Sequence, residues 1–387
     1  MNVAAWSAHG CRLGYQSRKQ EGPDLTVTRP AEAPSYSVVI PAYQAADTLP
    51  ACLDALARAE PTPAEVIVYD DGSRDETAAI ARVRGARVIG GGANKGPSYG
   101  RNAGVRAAGE AVVVFVDADV AVAPDAPGRL ARAVADGKGV SAAFGAYADA
   151  PSPIVRNLAG RYANLRHHHV HAEAAGADGV AEAQTFWSGL GAVDRAAFLA
   201  VGGFDEDYAQ PCIEDVELGL RLRANGGRVL LVGDARGDHM KDWTLRQLWR
   251  TDVFQRAVPW SQLAVRGRIA ATLNTGRTEQ VKSVLAQLVW LLALVGLVAG
   301  AWSGAAAGVL IAGSIGAAVA YLWANRRFLQ LLARHSARTA AGGAVLHWLY
   351  HCYASATYAL VMVGTGLLTR MGRRERNASQ AAAFVRS

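Results

Sequence analysis

Paired thiols are scarce in this chain. Its four cysteines, Cys11, Cys52, Cys212 and Cys352, are widely spaced and form no C-x-x-C pair, which excludes a disulfide framework and a thiolate metal site and suits a reducing compartment. Charge is thin too, at 19% of 387 residues against 51% hydrophobic, and acidic residues nearly vanish from the last third. Residues 243–387 carry 16 Lys/Arg but 3 Asp/Glu, whereas residues 1–242 carry 24 and 30. The basic excess therefore flanks apolar runs, the pattern of a chain meeting anionic lipid, and nucleic acid is not an expected partner. Met1–Pro34 never reaches an apolar run, so no secretory signal is expected, and residues 1–34 read as a flexible leader. The spacing of a P-loop is also missing, which removes support for ATP hydrolysis.

What is present begins with short β-branched runs alternating with helical patterns. Tyr36–Tyr43, Glu65–Tyr69, Val88–Ile89 and Ala111–Val116 read as strands; Asp47–Ala59, Glu76–Arg84 and Asn102–Ala108 read as helices. That alternation predicts an α/β domain over residues 35–242 with a mostly parallel sheet, and ligands beyond the carboxyl ends of its strands. Val140–Phe144 and Arg228–Val232 add strands. Pro211–Asn225 reads as a helix stopped by Gly226.

Acidic residues fall where such a sheet would present them. Asp117 and Asp119 end the most strand-like run, and in an extended chain residues i and i+2 point the same way. Two such carboxylates facing a diphosphate call for Mg²⁺ or Mn²⁺, with His239 able to complete the shell. Asp70 and Asp71 precede a Gly72 turn suited to a nucleotide wall, and Lys95 and Arg101, around a glycine-rich helix entry, suit a diphosphate. Asp215, with Glu214 in reserve, can act as the base that takes a proton from an attacking hydroxyl. Trp187-Ser188-Gly189 reads as a ring-lined turn for a sugar or acceptor. His167-His-His-Val-His171 has no partner spacing for zinc and reads as a polar or headgroup-facing patch.

The C-terminal third predicts an all-helical membrane region. Residues 243–282 mix arginines with Trp249, Phe254 and Trp260, as interfacial helices do. Val284–Trp302 and Ala305–Trp323 are long enough to span and form a hairpin, and Ala344–Leu368 makes about three segments within 283–370, before a basic tail, 371–387. With the first domain cytoplasmic, at a plasma or inner membrane, Arg326, Arg327, Arg334 and Arg338 obey the positive-inside rule; Arg370, Arg373, Arg374 and Arg376 would break it after a third span.

The ordered set Ser37–Tyr43, Tyr69–Asp75, Asn94-Lys-Gly with Arg101-Asn102, Val116–Asp119, Gly202–Asp205 and Glu214-Asp215 resembles the family 2 inverting glycosyltransferases of GT-A fold. The resemblance implies a nucleotide-diphosphate sugar donor, UDP- before GDP-, with Pro41 and Tyr43 at the donor. It also implies Asp71 on the base, Asp117 and Asp119 on ribose and metal-diphosphate, and Asp215 as base. Gln247 to Arg250 looks like the acceptor-side Q-x-x-R-W motif of processive synthases of the cellulose and hyaluronan type, but Thr251 replaces the tryptophan. A single sugar passed to a lipid-linked or glycolipid acceptor is therefore expected, with processive polymer synthesis as the alternative.

Overall fold

The computed structural model describes residues 34–208, 210–265 and 276–384, with side chains described as far as residue 365. The expected leader, Cys11, Arg266, Arg268 and Ile269 lie outside these, as do the side chains of Arg370, Arg373, Arg374 and Arg376.

The strands are β1 (Tyr36–Ala42), β2 (Glu65–Asp70), β3 (Arg87–Gly90), β4 (Val112–Val116), β5 (Val120–Val122), β6 (Val140–Tyr147), β7 (Val180–Glu182), β8 (Leu190–Asp194) and β9 (Arg228–His239). The helices of the same region are α1 (Leu49–Leu56), α2 (Thr77–Val83), α3 (Pro97–Ala107), α4 (Ala126–Ala135), α5 (Leu158–Ala175), α6 (Arg195–Ala200) and α7 (Glu214–Ala224). β4 is buried along its whole length, as its Val/Phe run requires of a central strand. α1 buries Leu49, Cys52, Leu53 and Leu56, the face its spacing predicts. α3 starts earlier than expected because Pro97 occupies its first turn, where a missing N–H costs nothing. It lies so close to β1 that a side chain at Gly104 would meet Val39 at 2.3 Å.

The sheet order is β3-β2-β1-β4-β8-β6-β9-β5, with β7 also on β9. The β1–β2, β1–β4, β2–β3 and β6–β9 pairs are parallel, and β4–β8, β6–β8, β5–β9 and β7–β9 are antiparallel. The sheet is thus mixed rather than mostly parallel. The short β5 and β7 on β9 supply two of the antiparallel pairs, and the other two come from β8, whose Gly191 lowers its strand signal. The glycine is needed there, since a Cβ would lie 2.6 Å from the Phe186 ring.

The C-terminal region contains α8 (Leu245–Arg250), a π-helix (Thr251–Ala257), α9 (Val258–Val265), α10 (Arg277–Ala299), α11 (Gly304–Ala324), α12 (Arg326–His335) and α13 (Ala337–Phe384). Among the described residues two helices, α10 and α11, are long and apolar enough to cross a membrane. They form the expected hairpin: Ser303 caps α11, and Ser314 Oγ donates to Val289 O across the pair at 2.6 Å. The run at 344–368 lies inside α13, one helix that continues through the expected tail as far as Phe384. Tyr162 and Leu165 of α5 pack with Trp243, Leu248 and the α12 residues Phe328 and Leu332, joining the sheet domain to the C-terminal helices.

Candidate active site

A cavity of about 1720 Å³ opens beyond the carboxyl ends of β1 and β4 and reaches past α5 and α7 to the π-helix, α10 and α13. At its sheet end Asp117 and Asp119 both line the wall, but a tight turn joins them: Val120 N donates to Asp117 O at 3.0 Å. The extended geometry expected for this pair is therefore corrected. Asp117 accepts from Arg101 Nη2 at 2.7 Å, while Asp119 lies 3.5 Å from His239 Nε2.

The tautomer of His239 follows from its other nitrogen. Nδ1 is 2.7 Å from Asn164 Oδ1, and Asn164 Nδ2 is committed to His239 O at 3.0 Å. Asn164 Oδ1 must accept, so Nδ1 carries a proton and Nε2 is the ring nitrogen that faces Asp119. A proton or a metal ion can bridge the two. A carboxylate oxygen and an imidazole nitrogen fit a divalent ion such as Mn²⁺. Burial alone would raise the Asp119 carboxyl; the adjoining His239 and Lys241 outweigh it and leave the pKa lowered. Tyr147 stacks on the His239 ring at 4.4 Å and fixes its plane. Among the described residues no three His, Cys, Asp or Glu side chains gather as a metal site, so any ion here would need ligand oxygens to complete its shell.

Asp215 stands on the first turn of α7. It accepts from Ser188 N at 3.2 Å and Val216 N at 2.7 Å. Burial, and then the neighbouring Glu214 charge, push its carboxyl up to about 7 against the pull of Arg101. A carboxylate poised near neutrality can both take and release a proton. Glu214 is buried and engaged by Arg101 Nη1 at 3.1 Å and Cys212 N at 2.7 Å, which leaves it a bracing role.

Several expected donor contacts are differently employed. Arg101 is buried between Asp117 and Glu214 and is not a free cation for diphosphate. Lys95 turns outward, its Nζ 4.1 Å over the Tyr99 ring, and it falls outside the cavity wall. Asp70 also lies outside that wall and accepts from Ser73 N. Asp71 lines the cavity while accepting from Lys95 N at 2.7 Å and Gly96 N at 2.9 Å. Pro41, Tyr43, Trp187, Ser188, Gly189, Gln247 and Arg250 all line the same cavity; Gln247 also closes a capping box with Thr244.

The histidine run is not a headgroup-facing patch. His168 and His171 of α5 are buried and meet the Tyr147 and Gly145 carbonyls of β6, and burial holds all four imidazoles below their ordinary pKa. Neutral rings pack readily on aromatic neighbours, and His167 and His171 meet Trp187, His167 also meeting Tyr147, as part of an aromatic wall. Asn164, Tyr147, Arg166 and Asp252 were not singled out by the sequence. Asp252 carried a usable signal, as one of three acidic residues after position 242.

Residues 37–177 match the glycosyl transferase family 2 model, and residues 168–241 match a model described as the N-terminal domain of galactosyltransferase. The succinoglycan biosynthesis protein ExoO of Rhizobium meliloti is 36% identical over 27% of this chain and 30% of its own length. A PGL/p-HBAD biosynthesis glycosyltransferase of Mycobacterium tuberculosis is 45% identical over 13% of this chain and 20% of its own. The chain thus spans less than a third of these curated relatives. The mannosyltransferase PcManGT of Pyrobaculum calidifontis, solved with GDP-Man and Mn²⁺, superposes with a TM-score of 0.51 at 18% identity, over 85% of this chain and 87% of that one. At that identity the likeness is one of fold. Motifs, sheet and family match agree, and residues 37–177 form a family 2 glycosyltransferase domain of the GT-A fold.

Proposed function

We propose that this protein transfers a single sugar, with inversion, from a nucleotide-diphosphate sugar, UDP- before GDP-, to a lipid-linked or glycolipid acceptor at the cytoplasmic face of a membrane. One observation carries the reading: a single cavity joins the acidic strand tips to the edge of an apolar helix, α10. α10 and α11 keep most of their apolar surface exposed, which suits lipid surroundings better than a water-facing helix pair.

Asp119 and His239 Nε2 would hold Mg²⁺ or Mn²⁺, with Asn164 orienting the ring by accepting from Nδ1. Such an ion supplies Lewis-acid stabilisation of the departing diphosphate. Arg101 holds Asp117 at the cavity wall, where its second oxygen can meet a ribose hydroxyl. Asp215 takes the proton of the acceptor hydroxyl as its oxygen bonds to the anomeric carbon and the nucleoside diphosphate leaves. Trp187, Tyr147 and His167 form the apolar wall that keeps water from competing for the sugar. Thr251, where processive synthases have tryptophan, favours one addition per acceptor.

The test uses full-length protein in nanodiscs with membrane lipid extract and a panel of UDP- and GDP-sugars, with products weighed by mass spectrometry. A one-sugar mass increment on a lipid, lost in Asp119→Asn together with Mn²⁺ binding followed by electron paramagnetic resonance, is the expected result. Long polymer products, or an undiminished Asp119→Asn, would overturn it.

A further inference from the structure

The far arm of the cavity holds a charge the mechanism above leaves unused. Asp252 of the π-helix is fully buried and accepts two bonds from Arg166, at 3.0 and 2.7 Å, plus the Tyr353 hydroxyl at 2.6 Å. That pairing already neutralises it. A second guanidinium, Arg256, also reaches Asp252 at 3.1 Å, yet keeps 46% of its side chain exposed at the cavity wall. Arg166 is fixed by its bidentate bond and by stacking 4.1 Å from Tyr350. The cluster therefore carries one positive charge in excess, and Arg256 is the group that presents it. Glu279 lines the same arm but is held by Lys282 at 2.5 Å and His351 at 3.2 Å.

A second donor points to the same ligand. Trp260 lies four residues beyond Arg256, on α9, which continues directly from the π-helix, and it lines the same cavity. Its Nε1 is buried without a hydrogen-bond partner among the described residues, and an orphaned indole N–H is costly unless something fills the space. A guanidinium fork and an unpartnered indole N–H from residues lining one cavity suit a tetrahedral oxyanion. Val284 of α10 and Ala354 and Tyr358 of α13 line the same cavity, which suits an oxyanion attached to an apolar tail.

We infer that Arg256 and Trp260 form a binding site for the phosphate of a lipid phosphate, orienting an anionic lipid-linked acceptor with its tail between α10 and α13. This deepens the proposed function and rests on its lipid acceptor. A π-helix at this position is consistent with a built site, because such turns cost stability and recur where side chains must be re-aimed.

The test measures binding of farnesyl phosphate, farnesol and inorganic phosphate to detergent-solubilised full-length protein. The wild type should prefer farnesyl phosphate over farnesol by about tenfold or more, the range of a charge-assisted hydrogen bond. Arg256→Gln should bring the two lipids close to parity, Trp260→Phe should cost a few-fold, and Arg256→Lys should retain part of the preference. Millimolar inorganic phosphate should not displace the lipid. Unchanged preference in Arg256→Gln overturns the site; should that variant fail to fold, unchanged preference in both Trp260→Phe and Arg256→Lys does so. Equal displacement by inorganic phosphate also overturns it, as a free-anion site. A wild type that glycosylates neutral lipids without discrimination removes this site and leaves the proposed function, whereas tight farnesyl phosphate binding with no sugar transfer to any lipid does the reverse.

Discussion

The two ends of the cavity solve the problem of buried charge differently. At the sheet end most acids meet a cation, an imidazole or a backbone N–H supplied by a strand tip or a helix start: Asp117 and Glu214 share Arg101, Asp119 faces His239, and Asp215 takes the Ser188 N–H. At the helical end a single acid, Asp252, gathers three partners, Arg166 of α5, Tyr353 of α13 and Arg256 of its own helix. The first end is left short of cations and the second has one to spare. A donor diphosphate with its metal and an anionic acceptor would each balance the end they meet, and buried like charges would otherwise be costly.

The largest effect is expected at Asp215. Asp215→Asn should lower kcat/KM by about 10²- to 10⁴-fold, the usual worth of a positioned base. In the wild type kcat/KM should rise with pH and level off near 7, where the carboxyl ionises, and the variant should lose that limb. Stability should move the opposite way. The folded pKa is raised from the ordinary 3.8 to about 7, so the favourable contribution is fully present below 3.8 and lost as pH rises through 7. Asp215→Asn should therefore melt above the wild type at pH 8, with the gap closing toward pH 4. A flat wild-type pH profile would remove Asp215 from the role of base.

Arg101 comes next. Arg101→Gln strips the cation from two carboxylates, one of them as buried as the arginine itself, and should destabilise the domain by about 3–5 kcal/mol. Thermal melts in detergent check this. A loss under 1 kcal/mol would show that the sheet end does not depend on its shared cation.

The contrast also explains what the sequence could reveal. β1, β2 and β4 were readable because a strand buried on both faces must be a continuous apolar run, and the acids after β2 and β4 fall at its predicted end. β8 was not, because Gly191 serves the Phe186 ring rather than the strand. The contacts of Arg101 and Lys95 were not legible for a related reason: a basic residue in a glycine loop looks the same whether it faces a phosphate, a buried acid or a ring. The histidine run was hidden by composition, since only packing shows that its rings meet β6 carbonyls. The arginine cluster spans 86 residues between Arg166 and Asp252, a pairing that no local pattern encodes.

Asn164 sharpens the comparison at the metal end without touching the ion. Asn164→Ala should free His239 to take the other tautomer, weakening Mn²⁺ by about 10- to 100-fold, as loss of an outer-shell partner does. Titration calorimetry against Mn²⁺ reads this directly. Asn164→Asp, which still accepts from Nδ1, should retain more affinity than the alanine variant; equal losses in both would mean that the tautomer is not what Asn164 controls.

The smallest effect is expected where the sheet domain meets α12 at the surface. Arg327 and Glu173 form a 2.8 Å ion pair, but their side chains are 68% and 45% exposed, so water screens the attraction and holding two long chains costs entropy. Arg327→Ala should cost less than about 0.5 kcal/mol. The buried contact of the same seam differs. Asn325 Nδ2 donates to Tyr321 O, so its Oδ1 accepts from His347 Nε2, and His347 Nδ1 is left to accept the Tyr162 hydroxyl at 3.1 Å. Tyr162→Phe removes that donor and strands a buried acceptor, at about 1–3 kcal/mol. If melts of the two variants show equal losses, exposure does not govern the seam and the domains are held by charge; a larger loss for Tyr162→Phe means that they are held by what water cannot reach.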